Sequence, residues 1–125
     1  MEIHWFDVRD KEGTASLYSS YIILNTVALA PLEKAYRVKV GVNSSDELVI
    51  EPISKERALV GDIEESTLLP IQVKRSYARI CSSALMHMIS SKFGLTLSKE
   101  PLKFAAKWNE EDNLLIIVIK GKDGK

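Results

Sequence analysis

The chain has a single cysteine, Cys81, in 125 residues. An intramolecular disulfide is therefore excluded, and the lone thiol fits a reducing, cytoplasmic setting. No apolar run approaches the eighteen or so residues that a membrane-spanning helix needs, so no membrane partner is expected. The opening residues, Met-Glu-Ile-His-Trp-Phe-Asp, carry no signal-peptide pattern. A surplus of one charge is also missing, since 17 Lys and Arg balance 17 Asp and Glu. Nothing pulls the whole chain toward a polyanion. His4 and His87 are the only histidines, and neither has a Cys or His at ligand spacing, so no metal site is expected. No Walker A, G-x-G-x-x-G, G-x-S-x-G or H-E-x-x-H pattern occurs, so neither an enzyme nor a cofactor is expected.

Hydrophobic residues make up 46% of the chain, enough for one domain over 1–125 with a core of its own. The most telling stretch occurs twice. Asn43-Ser-Ser-Asp46-Glu-Leu48-Val-Ile50 returns sixty-six positions later as Asn109-Glu-Glu-Asp112-Asn-Leu114-Leu-Ile116. Each copy places a polar Asn/Asp turn between an alternating run and an apolar one, which is the pattern of a β-hairpin tip. The runs before the turns begin at Arg37 and Lys103, with apolar residues at 38, 40 and 42 and at 104, 106 and 108. Upstream, Ser20-Tyr21 and Ala28-Leu29 recur as Ser76-Tyr77 and Ala84-Leu85, fifty-six positions on. The change of offset puts ten extra residues into the second copy, around Lys92 to Leu102. The expected unit is strand, short helix, hairpin, repeated over 14–57 and 67–120 with a polar bridge at 54–66. The fold class expected is α+β, mainly antiparallel β with two short helices and pseudo-twofold symmetry.

In chain order, Ile3 to Val8 reads as a strand, and Gly13 as a turn residue suited to positive φ. Thr14 to Leu24 reads as a second strand. Asn25 or Thr26 is a helix cap, with the regular helix from about Ala30 to Tyr36 and Pro31 in its first turn. Ser54 is placed to begin one helical turn. Leu68 to Val73 reads as a strand with Pro70 on an edge. Ser82 or Ser83 caps a helix from Ala84 to Phe93 that ends at Gly94, with Leu85, Met88, Ile89 and Phe93 on its apolar stripe. The last hairpin spans Leu102 to Ile119, and residues 121–125 read as a frayed tail.

Charge is unevenly spread. Residues 1–62 hold 7 Lys/Arg against 10 Asp/Glu, and residues 63–125 hold 10 against 7. A polyanion should prefer the second half. Lys74, Arg75 and Arg79 form the densest basic stretch. An extended chain there puts Arg75, Tyr77 and Arg79 on one face. Arg37, Lys39 and Lys103, which open the two hairpins, enlarge the candidate set. Such residues suit phosphate contacts, with Arg able to reach base edges. They equally suit a solvated strand edge, where Lys guards against aggregation. Cys81 reads as a buried structural thiol, and Asp46 and Asp112 as turn formers.

The order strand, short helix, hairpin, with Arg37-Val-Lys-Val-Gly-Val leading to Glu47-Leu-Val-Ile-Glu-Pro-Ile-Ser-Lys-Glu-Arg57, resembles the swapped-hairpin unit of the AbrB/MraZ superfamily. Two copies in one chain look like the tandem MraZ arrangement. The resemblance implies a DNA-binding transcriptional regulator, with double-stranded DNA as partner and a homo-oligomer as the working form. A β-rich interaction or assembly module is the alternative that the residues leave open.

Overall fold

A computed structural model of the chain describes Ile3, residues 12–61 and residues 63–119. The expected strand at Ile3–Val8, apart from Ile3, and the tail at 121–125 lie outside the described residues. Within them, eight strands form one antiparallel sheet: β1 (Thr14–Leu17), β2 (Tyr21–Asn25), β3 (Arg37–Val42), β4 (Leu48–Ile53), β5 (Gln72–Val73), β6 (Tyr77–Cys81), β7 (Leu102–Asn109) and β8 (Leu114–Val118). Their lateral order is β3-β4-β8-β7-β1-β2-β6-β5. The sheet curls into a half-barrel. Its two edges touch at one bridge, where Val38 and Leu69 exchange backbone hydrogen bonds of 2.9 and 2.8 Å. Three helices accompany it: α1 (Thr26–Leu29), α2 (Lys55–Val60) and α3 (Ser83–Phe93). The fold is therefore mainly antiparallel β with a few short helices.

Period-two burial fixes which face is core. Ala15, Leu17, Ile22, Leu24, Ala78, Ile80, Leu115 and Ile117 are all at most 1% exposed, and their strand neighbours are more exposed, with Ser16 at 7% still buried. Each large side chain of this set contributes roughly 1.5–3 kcal/mol by leaving water. Helices α1 and α3 add Ala28, Leu29, Leu85, Met86 and Ile89 to the same cluster. Local chemistry starts and stops these helices. The Asn25 side chain accepts from Ala28 N–H and caps α1. Ser82 accepts from Leu85 N–H and caps α3, which Gly94 ends with φ of +66°. Ser54 likewise caps α2.

Several expectations need correction. Thr14–Leu24 is not one strand. The chain turns at Ser19–Ser20, closed by Tyr18 N–H to the Tyr21 carbonyl at 2.9 Å, and β1 pairs with β2. The first helix starts at Thr26, not Ala30, and Ala30–Leu32 is a 3₁₀ turn with Pro31 early in it. The helix stops at Leu32 because Tyr36 N–H is already bonded to the Ile53 carbonyl in the next hairpin. Leu68–Val73 shrinks to Gln72–Val73, since Glu65–Thr67 coils into a 3₁₀ turn and Pro70 has no N–H to give. On α3 the third buried residue is Met86, while Met88 is 37% exposed. The helix rests on the half-barrel by its 85–86–89 side. Cys81 is exposed rather than buried. It follows Tyr77 and Arg79 on the outward side of β6 and does not belong to α3.

Gly13 is needed for a different reason than a positive φ. The neighbouring strand passes so close that a Cβ at this position would collide with the Ala106 carbonyl oxygen. The Gly13 carbonyl in turn accepts from Ala106 N–H at 2.8 Å. Gly13→Ala should cost about 1–3 kcal/mol, the usual range for overpacking a filled site. A lowered urea midpoint with unchanged slope is the expected reading.

Both repeated stretches are hairpin tips. In the first, Asn43 Oδ1 accepts from the N–H groups of Ser45 and Glu47, and Asp46 takes φ of +61°. In the second, Asn109 Oδ1 accepts from Asp112 N–H, and Asn113 takes φ of +59°. The loops differ by one residue. Val42 pairs with Leu48, and Asn43 N–H reaches the Glu47 carbonyl, but Asn109 pairs directly with Leu114. The core residues after the turns are accordingly Leu48 and Ile50 in β4, but Leu115 and Ile117 in β8. The sequence match aligned them with Leu114 and Ile116, which are only half-buried.

Candidate functional site

The basic stretch folds as a hairpin. Gln72 pairs with Arg79 and Val73 with Ala78, and Lys74 N–H closes the turn on the Tyr77 carbonyl at 2.7 Å. Lys74 and Arg75 are exposed at its tip. The Thr26 hydroxyl donates to the Ser76 carbonyl at 3.1 Å and ties the tip to the start of α1. The segment is thus not continuously extended. Alternation resumes only at β6, where Tyr77 and Arg79 point out and Ala78 and Ile80 point in.

Arg79 is held without being neutralised. Its Nε and Nη2 both donate to Gln72 Oε1 at 3.2 Å. Its guanidinium carbon lies 5.8 Å from the centre of the Tyr21 ring, and Tyr21 stacks on Tyr18 at 4.6 Å and 16°. A neutral amide and a ring face fix the fork while leaving its full charge available. Strand pairing sets the neighbours: Arg79 lies beside Ile23, Ile23 beside Ser16, and Ser16 beside Lys103. Lys103 is therefore three strands from Arg79, roughly 14 Å at ~4.8 Å per strand. Both project from the outer wall.

Arg37 and Lys39 sit apart, on β3. Arg37 donates to the Tyr36 carbonyl at 2.9 Å and lies 4.2 Å over the Tyr36 ring. Lys39 stands opposite Glu51 across β3–β4. Among the described residues the ion pairs are Arg57–Glu51 at 3.3 Å and Lys92–Asp46 at 3.8 Å. None of the six candidate cations takes part in either. The structure therefore brings Lys74, Arg75 and Arg79 together, sets Lys103 along the same wall, and leaves Arg37 and Lys39 at the sheet's β3 edge.

Two features escaped the sequence reading. The Tyr18–Tyr21 stack depends on the Ser19–Ser20 turn, because on one continuous strand residues three apart face opposite ways. A cleft of about 550 Å³ lies between α2 and the foot of β3, lined by Tyr36, Arg37, Leu59, Ile63, Glu65 and Leu68. The isolated Leu59–Val60 pair in an otherwise polar stretch was its only signal. Among the described residues, no three His, Cys, Asp or Glu side chains gather as a metal site would require. No helix among them is long and apolar enough to cross a membrane. No protein-family model, no curated protein and no solved structure matches the chain.

Proposed function

We propose that the chain is a non-enzymatic, cytoplasmic DNA-binding protein of regulatory type, built from two strand–helix–hairpin units over 14–57 and 67–120. The observation that carries the reading is a set of outward cations without carboxylate partners among the described residues: Lys74 and Arg75 at the β5–β6 tip, Arg79 on β6 and Lys103 on β7. Charges left unpaired on a rigid sheet wall are placed for phosphate oxygens, and Arg79, whose Nε and Nη2 donate to Gln72, keeps its Nη1 hydrogens for such a contact. The tandem arrangement draws support from strand register. Ile23 pairs with Arg79, its counterpart fifty-six positions on, and Val49 pairs with Ile116, its counterpart once the additional loop residue of the second hairpin is counted. Antiparallel pairing of corresponding residues is what a twofold relation between units produces. The resemblance to the AbrB/MraZ superfamily agrees with both points.

Titration of mixed duplex DNA by fluorescence anisotropy tests the proposal. Affinity should fall by roughly 0.9 log units per log unit of salt for each phosphate contacted. Replacing Arg75 and Arg79 together by Ala should lower that slope by up to about two while leaving the fold intact. Absence of binding at ~100 μM protein in low salt, the weak end of non-specific affinity, would refute it. A double variant that binds as the parent does would also count against it.

A further inference from the structure

We infer that β3 pairs antiparallel with β3 of a second copy of this chain, about a twofold axis passing between the two Gly41 residues. In an antiparallel ladder successive residues direct their N–H and C=O groups to alternate edges. Asn43 N–H bonds the Glu47 carbonyl on the β4 side, and Val38 exchanges both of its backbone bonds with Leu69 on the opposite side, so the odd-numbered residues of β3 serve β4. Val38, Val40 and Val42 therefore serve the other edge. Val38 meets Leu69 there. Among the described residues, nothing bonds the backbone of Val40 or Val42 on that edge. The corresponding strand of the other hairpin differs. There β7 pairs with β1 from Leu102 to Ala105, and Ala106 N–H reaches the Gly13 carbonyl.

A row of unbonded N–H and C=O groups recognises one kind of partner, another extended backbone. The open stretch runs from Lys39 to Val42, bounded by Leu69 at one end and by the turn at Asn43 at the other. A second β3 has the same length and the same limits. With Gly41 facing Gly41, Val40 of each copy bonds Val42 of the other, which gives four hydrogen bonds and uses only the unbonded groups. The partner's hairpin turns away at Asn43, just where Leu69 would block a longer strand. Gly41 falls in the close, non-bonded position, where Cα atoms approach to about 4.5 Å. A β-carbon built on Gly41 meets nothing within 4 Å, so this face of the strand is open. Charge does not oppose the pairing. Lys39 would face Asn43 of the other copy and already has Glu51 opposite it in its own chain. At the foot of the strand, Leu59 and Val60 of α2 are 72% and 67% exposed, and Leu59 lines the cleft beside Arg37.

The test uses the full chain, without nucleic acid, so it is separate from the DNA reading. Light scattering should give twice the 14.0 kDa chain mass at high micromolar concentration. In a Cys81→Ser background, Gly41→Cys should form an interchain disulfide under mild oxidation, since the expected Cα spacing lies within disulfide range. Lys39→Cys should not, because two such residues would lie about 14 Å apart along the strands at ~3.4 Å per residue. Val42→Pro removes an edge N–H without touching the β3–β4 bonds and should shift the mass to that of one chain. A single 14.0 kDa species with no Gly41→Cys cross-link overturns the inference. Equal cross-linking at Lys39→Cys overturns it too, since the register is then wrong. So does slow exchange of the Val40 and Val42 amides in a 14.0 kDa species, which would place the covering strand within the same chain.

Discussion

Ile117→Lys is expected to unfold the protein, while Ile116→Lys, one position earlier, leaves it folded. Ile117 is 0% exposed and pairs with Leu48 and Ala106 in the middle of the sheet. A lysine there would bury a charge with no partner, at a cost of several kcal/mol beyond the lost apolar burial. Total stabilities near ~5–15 kcal/mol leave little margin for that. Ile116 points to the outer wall beside Val49 and Lys107. A lysine there can lay its stem on the wall and keep its ammonium in water, for a loss of about 1 kcal/mol or less. Circular dichroism and urea titration of the two variants separate the outcomes. The reverse order would mean that β8 follows the register of the sequence match instead, and equal tolerance would mean that neither side chain is held in the core.

Asn25→Ala should lower stability by about 2–3 kcal/mol, a large effect for a side chain that is only part-buried. Asn25 Oδ1 accepts from Thr14 N–H and from Ala28 N–H, each at 3.0 Å. Its Nδ2 donates to the Glu12 carbonyl at 2.7 Å. One side chain thus starts α1 and pins the start of β1. A helix cap is worth about 1 kcal/mol, and each further bond about as much when its loss strands a partner. Asn25→Asp should recover part of the loss, since a carboxylate accepts both N–H groups but cannot donate to Glu12. Thermal melts should rank the parent first, Asn25→Asp second and Asn25→Ala last. An alanine variant as stable as the parent would show that water replaces all three bonds at no cost.

These two sites show where the sequence could and could not be read. The roles of Ser82, Gly94, Asn43 and Asn109 were legible because each acts on backbone groups within about four positions. The hairpins over 37–53 and 103–119 were legible for the same reason, with an alternating run before each turn and an apolar run after it. The candidate cations were visible as residue types. Their grouping was not, because Arg79 and Lys103 become neighbours on one wall only through β2 and β1. Cys81 was misjudged because a lone thiol with no partner was taken for a buried one, as most free cysteines are. Its exposure follows from the phase of β6, which Ala78 and Ile80 set by facing the core.

By itself, the sequence determined the elements: alternating runs long enough for strands, caps that begin and end the helices, Asn and Asp at the tips. Tertiary structure alone decided register and edges. One additional loop residue before Leu114 reverses which side chains of β8 face inward, and no local preference distinguishes Ile116 from Ile117. The break at Ser19–Ser20 is settled by β1 finding β7, far along the chain. Which edge of β3 stays open is settled by where Leu69 returns. The physical reason is range. Caps and turns close over a few bonds, whereas strand partners are chosen by whichever pairing buries the most apolar surface and leaves the fewest backbone groups unbonded.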